Sequence, residues 1–355
     1  MRLGLLTGGG DAPGLNAVIR AIVKSAAARG AECIGIEDGF AGLIDAAHWR
    51  QLTLSDLPGI LRRGGTILGT ANRRNPLKDP APSGAIVDRG AQCIQTFHDL
   101  GLTALIVIGG DATLAIAHEV SRRGLPVVGV PKTIDNDIAG TAQTVGFDTA
   151  VSFATEAIDR LHTTAEAHHR IMVVEVMGRY AGWIALHSGI AGGADIILMP
   201  EIPYDVDKVA QRILARERSG ARFSIVVAAE GARPVGGTLT VQEAGSAAVA
   251  ERLGGVGARI AGELERLTQK EARSVLLGHL QRGGTPTSVD RLLATRFGAR
   301  ATELALDRHY GVMVGSRPPE LIAVSLAEIA GRPRLVPLDS DLIHAAREIG
   351  IGFGD

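Results

Sequence analysis

Cysteine is nearly absent: Cys33 and Cys93 are the only 2 among 355 residues, and they lie far apart. Neither belongs to a CxxC or Cys/His cluster, which excludes a disulfide framework and a structural zinc site and fits a reducing compartment. No excess of one charge exists either. With 37 Lys+Arg against 38 Asp+Glu the formal net charge is -1, so no global basic field recruits nucleic acid or an anionic membrane, and any anionic ligand must be met locally. No apolar run approaches about 18 residues, and the opening MRLGLLTGGGDAPG breaks with glycines and Asp11 where an export signal needs an uninterrupted apolar stretch. The expectation is a soluble cytoplasmic protein with no nucleic-acid or membrane partner.

Aromatics are sparse at 3 %, while glycine is abundant at 46 residues. A Gly-, Ala-, Val- and Ile-rich chain of this kind reads as α/β, with glycine turns that bring backbone close to phosphates or carboxylates. The length predicts about two domains. Hydrophobic residues at 46 % and charged residues at 21 % predict a folded chain. Short apolar runs without alternation, each followed by a turn and a helical pattern, are the signature of parallel strands buried on both faces. Such runs occur at 3–6, 33–36, 104–108 and 127–130, with a helix predicted over 13–28. A long helix, FDTAVSFATEAIDRLHTTAEAH, begins near residue 148 and precedes further strands at 170–176, 195–199 and 223–229, which predicts a second α/β lobe. Segment 231–257 reads as a loop followed by a helix.

Three strand-end turns carry chemistry. Thr7-Gly8-Gly9-Gly10-Asp11 lies between a strand and a helix, where exposed N–H groups attract phosphate; it matches neither GxGxxG nor the P-loop, and a purely structural turn accounts for it equally well. Gly109-Gly110-Asp111-Ala112-Thr113 offers one carboxylate at a strand end, suited to a magnesium ion carried by a polyphosphate, with a solvated turn acid as the alternative. Pro131-Lys132-Thr133-Ile134-Asp135-Asn136-Asp137 sets two carboxylates and a hydroxyl close together. That set suits proton removal from an attacking alcohol and stabilisation of a transferring phosphoryl group; a helix N-cap cluster is the alternative. Downstream, Arg179 in EVMGRYAG, Glu230-Gly231, Arg273 and the His279 and Arg282 of GHLQRGG are candidates for a phosphate cradle, although any one arginine alone reads as a surface side chain.

Together these motifs, with GGTILGT, GFDTA, EAIDRLHTTAEAHHR and GGTPTSVDR, make the sequence resemble the 6-phosphofructokinases over nearly its whole length. The resemblance implies two similar three-layer α/β/α lobes with mostly parallel sheets and an interlobe active-site cleft. The expected division is 1–147 plus about 281–330 for the phosphoryl donor and about 148–280 plus 331–355 for the sugar phosphate. It implies magnesium-dependent phosphoryl transfer to the 1-hydroxyl of fructose 6-phosphate, with ATP or pyrophosphate as donor. Asp135 resembles the general base, with Asp137, Thr133 and Arg179 as its catalytic partners, and Asp111 resembles the metal ligand. Gly10, Arg73, Arg74, Gly110, Asp111, Ala112, Thr113 and Lys132 match donor-binding positions. Thr133, Arg170, Met177, Gly178, Arg179, Glu230, Arg273, His279 and Arg282 match sugar-phosphate contacts. Arg170 and Arg273 resemble arginines supplied by a neighbouring subunit, which implies a homodimer or homotetramer with shared sites.

The chain departs from the family pattern in two places. Ala112 stands where ATP-using members mostly have glycine and pyrophosphate-using members have aspartate; its methyl adds bulk without charge, favouring ATP. Lys132 is the residue by which pyrophosphate-dependent members hold their donor, yet some ATP-using members carry the same PKTIDND. Arg20 and Lys24 are basic as in allosteric members, but His162 replaces an arginine and LTLSDLPG has no matching base, so effector control of that type is not expected. A NAD or lipid kinase would not need PKTIDND with MGR and GHLQRGG, an oxidoreductase would need GxGxxG, and a non-catalytic subunit would not need Asp135, Asp137 and Arg179. Sedoheptulose 7-phosphate stays open as a related acceptor.

Overall fold

The structure, a computed structural model, describes residues 1–45, 48–71, 75–80, 85–243 and 252–355. From the N-terminus the elements run β1 (Arg2–Thr7), α1 (Leu15–Ala28), β2 (Glu32–Ile36), α2 (Ala41–Ile44), β3 (Trp49–Leu52), β4 (Asp79–Pro80), β5 (Ile86–Val87) and α3 (Gly90–Asp99). Next come β6 (Ala104–Gly109), α4 (Asp111–Arg122), β7 (Val127–Pro131), α5 (Phe147–His168), β8 (Ile171–Val176), α6 (Trp183–Ala191) and β9 (Ile196–Leu198). The chain continues with α7 (Val206–Arg218), β10 (Ser224–Ala229), β11 (Val241–Glu243), β12 (Arg252–Leu253), α8 (Val256–Thr268) and β13 (Ala272–Leu276). It closes with α9 (Ser288–Leu306), β14 (Val312–Arg317), β15 (Glu320–Ser325), α10 (Leu326–Ile329) and α11 (Asp341–Glu348).

Two compact units result, Met1–Ile134 with Ile138–Thr149 and Arg282–Pro333, and Asp135–Asp137 with Ala150–Gln281 and Arg334–Asp355. The first holds a seven-stranded sheet in the order β15-β14-β7-β6-β1-β2-β3. Its five inner strands are parallel, and β3 and β15 add antiparallel edges. Alternate side chains feed two cores: Leu3, Leu5, Ile106 and Ile108 pack with α1 and α9 on one face, and Leu6, Leu105 and Val107 with α3 and α4 on the other. This is why the strands read as continuous apolar runs. Helices α1 and α9 cross closely at Gly298, where a Cβ would lie 2.7 Å from the Ala21 methyl and the Val18 carbonyl.

The second unit holds a four-stranded parallel sheet, β13-β8-β10-β9. Its core joins Ile171, Val173, Leu198 and Val226 to Val209 and Ile213 of α7 and Ile260 and Leu264 of α8. In the loop-then-helix segment the structure differs from expectation: β11 pairs antiparallel with β12, and α8 starts only at Val256. Among the described residues no helix is long and apolar enough to cross a membrane.

Candidate active site

In the first unit β1, β6 and β7 are neighbours, so the three motif turns emerge side by side at the carboxyl ends of parallel strands, the edge where α/β sheets bind ligands. Backbone bonds stitch them together: Gly8 N–H donates to the Ile108 carbonyl at 2.9 Å, and Lys132 N–H to the Gly109 carbonyl at 2.9 Å. Thr113 fills the space between the first two turns. A Cβ on Gly8 would lie 2.6 Å from its methyl, so the close approach requires glycine. Lys132 is only 2 % exposed, and its ammonium donates to the Gly8 carbonyl at 3.1 Å and to the Gly10 carbonyl. Its charge therefore organises the glycine turn from beneath.

The GGTILGT segment braces the same turn, Thr70 Oγ1 donating to the Gly9 carbonyl and Thr7 Oγ1 to the Gly69 carbonyl, both at 2.6 Å. Asn16 of α1 holds the segment's other end, donating to the Arg63 carbonyl at 3.0 Å and accepting from Ile67 N–H at 2.8 Å. Arg282 lies over Gly10: its guanidinium fills the place a Cβ would take, and Nη1 donates to the Asp11 carbonyl at 3.5 Å. An arginine read from sequence as a sugar-phosphate contact thus sits against the first glycine turn.

Gly110 caps α4, whose first turn is Asp111, Ala112 and Thr113. Asp111 is half-buried, and desolvation pushes its carboxyl above the usual range while the Gly331 backbone pulls it back. Ala112 points its methyl to solvent. Thr133 follows Lys132, its carbonyl accepting from Thr144 Oγ1 at 2.7 Å. Arg73 and Arg74 lie outside the described residues.

Asp135, Asn136 and Asp137 belong to the second unit. Asn136 adopts a left-handed backbone, φ 53°, between the two acids. Arg334, which the sequence motifs do not single out, holds this turn. Its guanidinium donates to the Asn136 carbonyl through Nε at 3.1 Å and Nη2 at 3.0 Å, and its N–H donates to the Asp137 carbonyl at 2.7 Å. Trp183 in turn holds Arg334, stacking its ring 4.3 Å from the guanidinium and donating Nε1–H to the Arg334 carbonyl at 2.9 Å. Burial lowers the guanidinium to about 10, the charge of Asp137 opposing the shift.

The turns after β8 and β10 are pressed together in the same unit. Glu230 N–H donates to the Val176 carbonyl at 2.8 Å and Gly231 N–H to the Gly178 carbonyl at 3.1 Å. These bonds bring Met177, Gly178, Arg179 and Glu230 into one group, and Gly178 needs its glycine at φ 133°. A cavity of about 420 Å³ opens beside Arg179 and Tyr180, bounded by Glu201, Arg233, Leu335 and Leu338. Glu201 accepts from Gly182 N–H at 3.1 Å and Val336 N–H at 2.9 Å, while burial raises its carboxyl. Arg170 and Arg273 are joined through Glu271, which Arg170 Nε meets at 2.6 Å and Arg273 Nη2 at 2.5 Å. The two guanidiniums hold the Glu271 carboxyl below the usual range. His279 is exposed in the short turn of helix after β13.

A family model described as phosphofructokinase matches residues 2–305. The chain belongs to the phosphofructokinase family of enzymes. It is 54 % identical over 356 residues, covering 100 % of this chain and 98 % of the relative, to an ATP-dependent 6-phosphofructokinase of Chloroflexus aurantiacus. It is also 50 % identical over 345 residues, covering 96 % and 97 %, to a protein of Amycolatopsis mediterranei named pyrophosphate–fructose 6-phosphate 1-phosphotransferase. The crystal structure of the Pichia pastoris phosphofructokinase in its T state superposes with a TM-score of 0.81 at 29 % identity, covering 98 % of this chain; this chain spans 36 % of that polypeptide. Asn16, Glu271 and Arg334 emerge only from the three-dimensional contacts.

Proposed function

We propose that this phosphofructokinase-family enzyme transfers the terminal phosphoryl group of ATP to the 1-hydroxyl of fructose 6-phosphate. Asp135 takes the hydroxyl proton, the sugar oxygen attacks the phosphorus, and the bond to the departing ADP oxygen breaks. Asp137 and Thr133 support the base, and Arg179 neutralises charge on the phosphoryl group or the sugar phosphate. Met177, Gly178, Glu230 and His279 complete the sugar contacts, with Arg170 and Arg273 serving a neighbouring copy in a homodimer or homotetramer. The exposed Leu276 and Leu280, which follow Arg273 in sequence at 54 % and 66 % exposure, support such an assembly.

A divalent metal, read as Mg2+, fits Asp111. An ion that arrives on phosphates keeps several waters and takes only one or two protein carboxylates, and Asp111 is a single carboxylate at a strand end. When bound, the metal neutralises charge on the phosphates. Gly10, Gly110 and Thr113 supply the close backbone that lets a polyphosphate approach.

The observation that carries the choice of ATP is Ala112, which presents only a methyl, open to solvent, in the first turn of α4. No charge there repels a nucleotide α-phosphate. Pyrophosphate as donor is the second reading, favoured by Lys132 and by the name of the Amycolatopsis relative. The test is initial rates with fructose 6-phosphate and Mg2+, comparing ATP with pyrophosphate. Activity with ATP at least tenfold above pyrophosphate is expected; activity with pyrophosphate alone overturns the choice. Sedoheptulose 7-phosphate is assayed alongside as acceptor. The two buried free thiols, Cys33 and Cys93, support a reducing, cytoplasmic setting.

A further inference from the structure

The Asp135-Asn136-Asp137 turn has no regular secondary structure to hold it. A left-handed, non-glycine residue costs roughly 1 kcal/mol, so Asn136 keeps φ 53° only if its surroundings determine it. Arg334 supplies contacts that do so. The forked pair of donors onto the Asn136 carbonyl fixes the peptide plane before Asp137, and the Arg334 N–H onto the Asp137 carbonyl fixes the plane after it. With both planes held, the Cα–Cβ direction of Asp137 is set, and that of Asp135 follows through the left-handed residue between them. Trp183 fixes Arg334 at two points, its ring against the guanidinium and its Nε1–H on the carbonyl. Asn136 and Asp137 are buried, at 3 % and 8 % exposure, so solvent does not compete strongly for these bonds.

We propose that Arg334, steadied by Trp183, is the positioning residue that aims Asp135 and Asp137 at the acceptor hydroxyl. The role rests on the reading of Asp135 as the base. A general base works only within hydrogen-bond reach of its proton, and a displacement of about 1 Å costs on the order of a hundredfold in rate. Arg334 bonds the backbone carbonyls of the turn and its charge acts on Asp137, so its loss disturbs the turn without removing any of the proposed substrate contacts.

The experiment measures kcat and both KM values, with thermal melting, for wild type, Arg334→Met, Arg334→Lys and Trp183→Phe. Arg334→Met is expected to lose about thirty- to a hundredfold in kcat, with KM for ATP and fructose 6-phosphate within about threefold of wild type. Arg334→Lys, which keeps one donor and the charge, recovers about tenfold of that loss. Trp183→Phe keeps the stacking face but loses the indole donor, and drops kcat about three- to tenfold at unchanged KM. A merely structural role predicts a lower melting temperature with kcat per folded molecule intact, and that result overturns the proposal. So does a loss confined to KM, or a lysine variant no better than methionine. If Arg334→Met does not fold, the lysine and phenylalanine variants decide by the same split. A wild type active with either donor and an unimpaired Arg334→Met variant overturns this role alone. A wild type inert with both donors overturns the reading of function and this role with it.

Discussion

Replacing Asp290 with asparagine tests how the start of the long helix α5 is anchored. Asp290 is fully buried in the first turn of α9. Its carboxylate accepts from Gly146 N–H at 2.9 Å, Thr149 N–H at 2.8 Å and Thr149 Oγ1 at 2.5 Å, so it satisfies backbone donors at the N-terminus of α5. Desolvation nonetheless dominates, pushing the carboxyl from 3.8 up to about 6 against the pull of those donors. Between these values the folded protein binds the proton more tightly than the unfolded chain does. Stability from this group is therefore greatest at low pH and falls as pH rises through about 6, the reverse of a salt-bridged aspartate.

The full shift corresponds to about 3 kcal/mol, and about 2 kcal/mol of it develops between about pH 4.5 and 7.5. Asparagine keeps one acceptor, turns the other into a donor facing Thr149, and cannot titrate. Its fixed cost is about 1–3 kcal/mol for the donors left without an acceptor. The assay is urea unfolding of wild type and Asp290→Asn in parallel, followed by circular dichroism across that pH range. The stability advantage of wild type should shrink by about 2 kcal/mol on going from about pH 4.5 to 7.5. An advantage that stays flat or grows with pH refutes the reasoning, because donor bonds would then outweigh desolvation.

Asp135→Ala should lower kcat by at least about a thousandfold while KM for fructose 6-phosphate stays within about threefold, since the base acts in the transition state and not in ground-state binding; steady-state kinetics and sugar titration check it. Ala112→Asp should depress turnover with ATP at least about tenfold more than turnover with pyrophosphate, read from paired initial rates. An acid in the first turn of α4 is favourable to the helix, so the melting temperature should hold, and an equal loss with both donors would count against charge at this position as the selector.

The first unit was legible because its strands are buried on both faces. Leu3–Leu6, Ala104–Ile108 and Val127–Val130 read as apolar runs because their side chains alternate between two cores. The range Phe147–His168 for α5 was legible from its helical pattern. Less readable were elements with a wet face: β13 exposes Arg273, Ser274 and Leu276, so no apolar run marks it. The β14–β15 hairpin covers an edge and is only partly buried along β15. The acids and glycines of the proposed site were readable as motifs, since the chemistry restricts residue type. Arg334 was not, because it meets Asn136 across 198 positions of sequence and sits in a stretch, GRPRLVP, with no pattern of its own.

That long-range contact also explains an oddity of the chain. Ile134 and Ile138 belong to the first unit, yet the three residues between them belong to the second. Strand β7 delivers the turn, but Arg334 and Trp183 hold it, and both are residues of the second unit. The proposed base thereby shares a rigid frame with Gly178, Arg179 and Glu230, the proposed sugar contacts. For proton transfer this is the useful arrangement, because the base must keep its distance to the acceptor hydroxyl, whereas phosphates can be approached through a metal and flexible arginines. The register that matters is therefore the one between the proposed base and the proposed sugar contacts, all within the second unit. If Arg334 sets that register, weakening it should slow turnover equally with ATP and with pyrophosphate, since the donor plays no part in aiming the base. A loss confined to one donor would instead tie the turn to the donor side.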